Sequence, residues 1–277
     1  MRNLLITTAA IGLAALSAST ASAQDLTTTS PSWTGFYVGG QLGYAWQPRD
    51  GDEQIAFDRN LDGNFGDSFL PNFGPGYCGG SPTSSSPTTG CTKDNDGTNW
   101  KVHAGFDYQF GETSGPVVGA VIEGGKAYLY DNVTAFSTTP AVYKIKAKLK
   151  ENGAIRARGG YSFSTGTLVY GTGGLSYGKI ENSFSTSNAV NTFTTSGSKK
   201  DAWGYNYGGG IEQKVGPFSI GALYLFTVLK NNKYTVNASG GAVGGPFTAI
   251  SGTGTDFRRG FTKFAYHSLL ATVSYRF

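Results

Sequence analysis

The chain has 277 residues and a formal net charge of +4, with 42 Gly, 16 Tyr and 18 Phe. Abundant Gly and aromatic residues disfavour a helical protein and suit curved β-strands, and so weak a positive charge argues against a nucleic-acid partner. The mean hydropathy of −0.22 does not exclude a membrane protein, because the polar lumen residues of a β-barrel offset its lipid-facing apolar residues.

The N-terminus has the pattern of a secretory signal peptide. A basic residue precedes an apolar run over residues 4–16, and small residues follow up to Ala23; these are the charged, hydrophobic and cleavage regions of such a signal. The apolar run is shorter than the roughly 20 residues that span a bilayer, which disfavours a permanent anchor helix. We predict cleavage after Ala23 and removal of the signal peptide 1–23, then a flexible polar segment at 24–32 and a β-barrel over 33–277.

Taken in order, eight segments of the mature sequence show the period-two alternation of half-buried β-strands. They span residues 33–46, 100–110, 117–130, 153–163, 168–180, 202–215, 218–230 and 263–277. In the last segment, Leu269, Ala271, Val273, Tyr275 and Phe277 alternate with polar residues. The apolar face, which ends in aromatic residues, fits lipid and an interfacial aromatic girdle, whereas the polar face fits a lumen.

The connections between these segments alternate in length. The short ones cover residues 111–116, 164–167 and 215–217, and the long ones, rich in Gly, Ser, Thr and Asn, cover 47–99, 131–150, 182–200 and 231–262. Because a sheet in hydrocarbon leaves no edge unpaired, the last strand must pair with the first. The sequence therefore predicts an all-β, eight-stranded antiparallel transmembrane β-barrel with short periplasmic turns and long extracellular loops, in the cell outer membrane. A soluble lipocalin-like barrel is the alternative, but its outer face would be polar.

Four motifs resemble those of the alphaproteobacterial porin family of outer-membrane β-barrel proteins, which includes haemin-binding and root-nodule-associated members. They are WTGFYVG at residues 33–39, IRARGGY at 155–161, LVYGTGGLSYG at 168–178 and the terminal SYRF. The resemblance implies an eight-stranded barrel whose terminal aromatics, Tyr275 and Phe277, form the assembly signal that the barrel-insertion machinery reads. The chain departs from the family in the seventh strand, where Gly221 and Leu223 stand in place of an inward Lys and Glu.

Charged residues on the inward faces are the first candidate site. An eight-stranded barrel is just wide enough to be filled by side chains, and an isolated charge buried there is very costly. The inward charges must therefore pair, either as a structural plug of salt bridges or as the walls of a narrow ion-conducting path. By the alternation they are Lys101, Asp107, Glu123, Arg156, Arg158, Glu212 and Arg276.

The second candidate is an acidic segment in the long loop 47–99. Oxygen-bearing side chains at alternate positions from Asp58, followed by Gly63, match the start of a calcium-binding loop. The twelfth position, where a bidentate Glu belongs, is Phe69, so that Asp67 would have to replace it. The plain Asx and Gly turn without metal is the favoured interpretation, and a calcium site is the alternative. In the calcium alternative the ligands are Asp58, Asn60, Asp62, Asn64 and Asp67.

Cys78 and Cys91 are the only cysteines of the chain, and both lie in the loop 47–99. The compartment to which a signal peptide directs the chain permits disulfides. A bond between the two would contribute about 3 kcal/mol in the chain-entropy model; two free thiols are the alternative.

The two histidines do not indicate an enzyme. His103 and His267 fall on opposite faces, and no Ser/His/Asp set shares one face, so we predict a non-enzymatic protein. We predict no cofactor; calcium in the loop 47–99, and haem bound through surface tyrosines or a histidine, are the alternatives.

Together these observations favour a surface protein of the outer membrane that contributes to envelope integrity and to external interactions. Its predicted partners are outer-membrane lipid and lipopolysaccharide, the barrel-insertion machinery, and an external host or small-molecule ligand at the loops, with no nucleic acid. The alternatives are a small porin that passes ions or small solutes, and a haemin-binding surface protein.

Overall fold

The computed structural model describes residues 32–48, 53–74, 76–86, 88, 90–197, 199–231 and 234–277. The predicted signal peptide with its cleavage after Ala23, and the predicted flexible segment up to residue 31, lie outside the described residues. No helix of the described residues is long and apolar enough to cross a membrane.

Eight antiparallel strands form a closed barrel in which consecutive strands are neighbours. The first and last strands close the ring, with Tyr37 opposite Arg276 and Trp46 opposite His267. The predicted eight-stranded barrel and its closure by the terminal strand are therefore confirmed. The strands are β1 (Gly35–Trp46), β2 (Gly97–Gln109), β3 (Gly115–Ala127), β4 (Val142–Ser162), β5 (Thr167–Thr186), β6 (Lys199–Val215), β7 (Phe218–Lys230) and β8 (Lys263–Arg276).

The alternation along each strand sorts its side chains between lipid and lumen. Large apolar side chains stay exposed on the outer wall; Phe36, for example, is 66% exposed. Such exposure suits hydrocarbon and would be unfavourable in water. Aromatic pairs mark both rims of this wall, with Tyr275 and Phe277 at the periplasmic end and Tyr177 and Trp203 at the extracellular end. The lipid-facing band lies between these two girdles.

Strands β4 and β5 project beyond the extracellular girdle, which the sequence analysis does not predict. β4 begins at Val142 rather than at residue 153, and β5 ends at Thr186 rather than at residue 180. The predicted loop 131–150 is wrong because its second half alternates strictly, so that a β-strand can bury one of its faces. The lysines of this stretch face outward, and the buried residues between them are Tyr143, Ile145, Ala147 and Leu149.

Short strands on the extracellular side of the barrel build a second unit, the cap. We use this name for the described parts of residues 53–96, 128–150, 180–197 and 231–262. One sheet of the cap has four strands in the spatial order Thr192–Ser196, Thr235–Ser239, Thr255–Arg259 and Ile55–Asp58. The long connections that the sequence analysis treats as loops therefore contain regular structure.

Two further strand pairings attach the cap to the barrel. Leu129–Phe136 pairs with the projecting part of β4, and Gly76–Gly79 pairs with Leu129–Phe136 in turn. Next to them, Ser81–Pro82 and Cys91–Thr92 form a small two-stranded sheet. The cap is thus continuous with the barrel wall along β4.

Aromatic side chains form a core inside the cap. The ring centres of Phe57, Phe69 and Phe73 lie 4.7 to 5.0 Å apart, and Phe247 and Phe257 pack against them. All five side chains are buried. Burial of such a side chain contributes about 1.5–3 kcal/mol, so the cap has a hydrophobic core of its own.

Apolar side chains also close the barrel interior above and below its charged centre. Leu129, Phe264 and Tyr266 belong to a cluster at the extracellular mouth, and Trp33 and Leu168 belong to one that reaches the periplasmic end. The charged lumen residues lie between these two apolar layers.

Candidate functional site in the lumen and the cap

Glu123 neutralises two cations at the centre of the barrel. Its Oε1 accepts a hydrogen bond from Lys101 Nζ at 2.6 Å and lies 2.5 Å from Arg156 Nη1. Its Oε2 accepts a hydrogen bond from Gln41 Nε2 at 3.2 Å. The three charged side chains are almost completely buried, so this group is shielded from bulk solvent and interacts strongly.

A second group of charges lies nearer the periplasmic end. Asp107 sits between Arg158, whose Nε is 3.2 Å from Oδ1, and Arg276, whose Nη2 donates to Oδ2. Arg158 Nη1 also donates to Glu212 Oε1 at 3.0 Å. All seven inward charges that the alternation identifies thus lie in the lumen, and each has an oppositely charged partner.

Rings and small polar groups fill the space around these charges. The guanidinium of Arg158 lies 4.1 Å from the ring centre of Tyr170, and that of Arg276 lies 4.5 Å from the ring centre of Trp33. A void of about 10 Å³ remains beside Arg158 and His103, which is room for about one water molecule. Side chains therefore close the described part of the lumen.

The departure from the family pattern in β7 has a structural counterpart. Leu223 is buried in the apolar cluster with Leu168. Gly221 gives room to Glu212, because a Cβ added at Gly221 would lie 2.7 Å from the Cγ of that residue. Ser219 donates a hydrogen bond to Glu212 Oε2 at 3.1 Å, so a hydroxyl on this strand supports the charge network.

The cap contains a buried charge cluster that the sequence analysis misses. Arg259 Nη2 lies 2.5 Å from Glu53 Oε1 and also donates to Asp131 Oδ1. Asp94 accepts hydrogen bonds from the backbone and the side chain of Asn132. One guanidinium therefore joins three segments of the cap, and the partners of Arg259 are 128 and 206 residues away in sequence, so no local motif could reveal them.

The carboxylates of this cluster are crowded. Oxygen atoms of Glu53, Asp94 and Asp131 all lie within 4.8 Å of one another. Burial raises the pKa of Glu53 to about 8 even though Arg259 is adjacent, and burial raises the pKa of Asp94 to about 6. Burial in the cap thus favours the neutral forms of Glu53 and Asp94 relative to exposed carboxyls.

The predicted calcium loop forms a set of Asx turns. Asp58 accepts a backbone hydrogen bond from Asp62 at 3.1 Å, and Asp62 accepts one from Asn64 at 2.7 Å. The side-chain amide of Asn60 donates to Asp62, and Asp67 accepts a backbone N–H from across the loop at 2.7 Å. Among the described residues, the carboxylates of this loop do not form a group with metal-ligand spacing. The arrangement has the form of the plain turn that the sequence favours, and calcium binding stays an untested alternative.

The structure contains the Cys78–Cys91 disulfide, whose Cα atoms are 6.4 Å apart. Cys78 belongs to Gly76–Gly79 and Cys91 to the small sheet beside it. The bond therefore connects two parts of the cap and lies outside the barrel.

Two clefts of a size suited to small ligands open on the extracellular side. The tip cleft has a volume of about 430 Å³ and is lined by residues that include Phe73, Tyr143, Phe247, Asn188 and Asn191. The rim cleft has a volume of about 500 Å³ and lies against the outer wall at the edge of the cap, where its lining includes Gln47, Tyr205, Phe226 and Phe261.

The two histidines lie on opposite faces of the barrel wall, and the ring centre of His267 is 4.7 Å from that of Phe226, which lines the rim cleft. His103 is in the lumen, where its Nε2 is 2.8 Å from Ser274 Oγ. His267 stacks on Trp46 at the outer wall, and its Nδ1 is 2.7 Å from the Tyr224 hydroxyl. Neither ring lines the tip cleft or the rim cleft.

Comparison with known proteins places the chain among proteins of the outer membrane. Over 247 residues, 82% of this chain and 89% of theirs, it is 28% identical to the 31 kDa outer-membrane immunogenic proteins of Brucella melitensis and Brucella suis. No protein-family model matches. Similar solved structures include the outer membrane protein OprG from Pseudomonas aeruginosa, with 12% identity, a TM-score of 0.43 and coverage of 90% of this chain and 99% of that chain. Another is the attachment invasion locus protein of Yersinia pestis, with 12% identity, a TM-score of 0.33 and coverage of 87% and 99%.

The closed barrel with its lipid-facing wall and the Brucella relatives define an outer-membrane β-barrel protein. The resemblance to alphaproteobacterial outer-membrane barrels and the predicted location in the outer membrane are confirmed.

Proposed function

We propose that this protein is a non-enzymatic outer-membrane surface protein whose closed barrel contributes to envelope integrity and holds the cap for external interactions. The observation that carries this proposal is the lumen, where seven buried charges pair and a void of about 10 Å³ remains beside Arg158.

A solute path through this lumen would require its ion pairs to separate. Each buried charge that loses its partner costs several kcal/mol, and the apolar layers above and below the charges would also have to open. These costs favour a barrel that stays closed over the alternative of a small porin.

The cap supports a role in external interactions. It has its own aromatic core and carries the tip cleft at its outer side, so it presents one defined surface. The Brucella relatives are named immunogenic proteins of the outer membrane, and in this chain the cap is the part that projects from the cell. Haemin binding is the second candidate: neither histidine lines a cleft, but Tyr143 lines the tip cleft and Tyr205 lines the rim cleft, and a haem titration followed by absorbance tests it.

The test of the closed lumen is conductance of the refolded mature protein in planar lipid bilayers. We expect no steady channel from the native sequence. A porin of known conductance, refolded and inserted in the same way, is the positive control for the assay. Steady channels of reproducible size from the native protein would contradict the proposal.

A further inference from the structure

A row of four lysines follows the outward face of the projecting part of β4. Lys144, Lys146, Lys148 and Lys150 occupy alternate positions of this strand, so their side chains share one face. The residues between them are buried against the interior of the cap and the barrel mouth. We call these four residues the lysine stripe.

The stripe carries an excess of positive charge. Glu181 of β5 stands opposite Lys148 and pairs with Lys150 at 2.9 Å, whereas the residues of β5 opposite Lys146 and Lys144 are Ser183 and Ser185. On the other side, Lys146 and Lys148 place their Nζ atoms 4.0 and 5.0 Å from the ring centre of Tyr130. The four lysines therefore share the carboxylate of Glu181 on β5, and the two upper ones, Lys144 and Lys146, face serine hydroxyls there, so that the face keeps a net positive charge.

The foot of the stripe lies at the membrane surface. Tyr177 of the extracellular girdle is opposite Gly153 of β4, and Lys150 is three residues further along the strand. Lys126 of β3, which is exposed on the outer wall, lies at the same level. From Lys150 to Lys144 the strand rises by roughly 20 Å at about 3.3 Å per residue, so the stripe starts beside the lipid headgroups and extends away from the membrane.

We propose that the lysine stripe binds the phosphate groups of lipopolysaccharide in the outer leaflet. Lysine ammonium groups bind phosphate as point charges, and alternate residues of a strand set them about 6.6 Å apart, which suits successive phosphates on one glycolipid better than a single small anion. The surface is continuous with the aromatic girdle, so a lipid anchored in the membrane reaches it without diffusing from solution. This inference deepens the envelope role proposed above, and it rests on the outer-membrane location and not on a closed lumen.

The test compares two triple variants of the refolded full mature protein in detergent free of lipopolysaccharide. Lys144→Gln, Lys146→Gln and Lys148→Gln remove the upper stripe and keep the Lys150–Glu181 pair. Lys93→Gln, Lys230→Gln and Lys263→Gln remove the same charge from exposed positions elsewhere. Heat-modifiable migration on gels establishes that both barrels are folded. The probe is a fluorescent rough lipopolysaccharide, and the readout is its dissociation constant at low and high salt.

We expect the stripe variant to bind the probe about tenfold more weakly and to lose most of the salt dependence, and the control variant to stay within about twofold of the native protein. Lipopolysaccharide from which the phosphates have been removed should bind the native protein as weakly as the intact probe binds the stripe variant. Equal affinity of the stripe variant and the native protein, or an equal loss in the control, would overturn the proposal. Displacement of the probe by equimolar inorganic phosphate would overturn it too, since it would mark a site for a free anion. Because conductance does not enter this readout, an open lumen would leave the result interpretable.

Discussion

Glu123 is the counter-ion of two buried cations at the centre of the lumen. It is the carboxylate within 2.6 Å of both Lys101 and Arg156, and all three side chains are buried. Burial of a complete ion group is close to neutral in free energy, whereas removal of one member leaves its partners uncompensated. Replacing the Glu123 carboxylate by a carboxamide should therefore destabilise the barrel more than several substitutions of exposed residues on the outer wall.

We predict that Glu123→Gln lowers the free energy of unfolding of the refolded barrel by about 3–5 kcal/mol. The substitution keeps the shape of the side chain but leaves two buried cations without a counter-ion. Urea titration in lipid vesicles, followed by gel mobility and tryptophan fluorescence, measures the change. The control is Glu151→Gln, whose carboxylate is half exposed and 3.5 Å from Lys179, so that its loss should cost less than about 1 kcal/mol. Equal unfolding midpoints for the two variants would contradict the prediction.

At the level of elements, the cap and the barrel depend on different interactions. The barrel strands are held by a closed ladder of backbone hydrogen bonds, and the cap is held by its aromatic core, by the Arg259 cluster and by the disulfide. The core residue Phe257 contacts Phe57, Phe247 and Tyr143 and lies outside the ladder of the barrel. Loss of the cap core should therefore leave the barrel folded.

We predict that Phe257→Ala opens the cap without unfolding the barrel. Truncation of a buried Phe costs about 3–5 kcal/mol, enough to expose the cap to protease. Limited proteolysis of intact cells should cut the variant within residues 53–96 or 231–262, while a protected fragment pattern and heat-modifiable migration persist for the barrel. Phe261→Ala is the control, because Phe261 is exposed at the cap edge. Resistance of Phe257→Ala equal to that of Phe261→Ala would show that the core does not hold the cap.

The difference between the barrel, whose strands alternate locally, and the cap, whose core is made by distant residues, explains which parts of the fold the sequence predicts. Alternation is a local property, so it identified the eight barrel strands, the lumen charges and the lipid face. The alternation of Val142 to Leu149 is equally regular, but turn-forming residues surround it and favour a loop, so the sequence does not predict this part of β4 or its lysine face. By contrast, Phe57, Phe73 and Phe257 meet only in three dimensions, and so do Glu53, Asp131 and Arg259. No spacing in the sequence brings such residues together.

For the whole molecule, the last residues of the chain complete the barrel. The backbone N–H of Phe277 donates to the Phe36 carbonyl at 3.0 Å, and a Cβ added at Gly35 would lie 2.7 Å from the Phe277 carbonyl oxygen. Glycine at position 35 thus allows the C-terminus to pack against the start of β1. Tyr275 and Phe277 add their rings, 5.1 Å apart, to the periplasmic girdle, where aromatic side chains are favoured between water and acyl chains.

We predict that deletion of Phe277 reduces assembly in the outer membrane far more than its effect on stability would. The side chain is 75% exposed on the lipid side, and even full burial of a Phe is worth only about 1.5–3 kcal/mol; the deletion also removes one backbone hydrogen bond to β1. If the terminal aromatic is the signal that the insertion machinery reads, most of the deleted protein should fail to reach the membrane in cells, although it still refolds in detergent. The control is Val273→Ala, which trims the same outward row of β8 and keeps the terminus. Surface labelling and heat-modifiable migration of membrane fractions measure assembly, and equal, near-normal levels of both variants would show that the terminal strand is not the assembly signal.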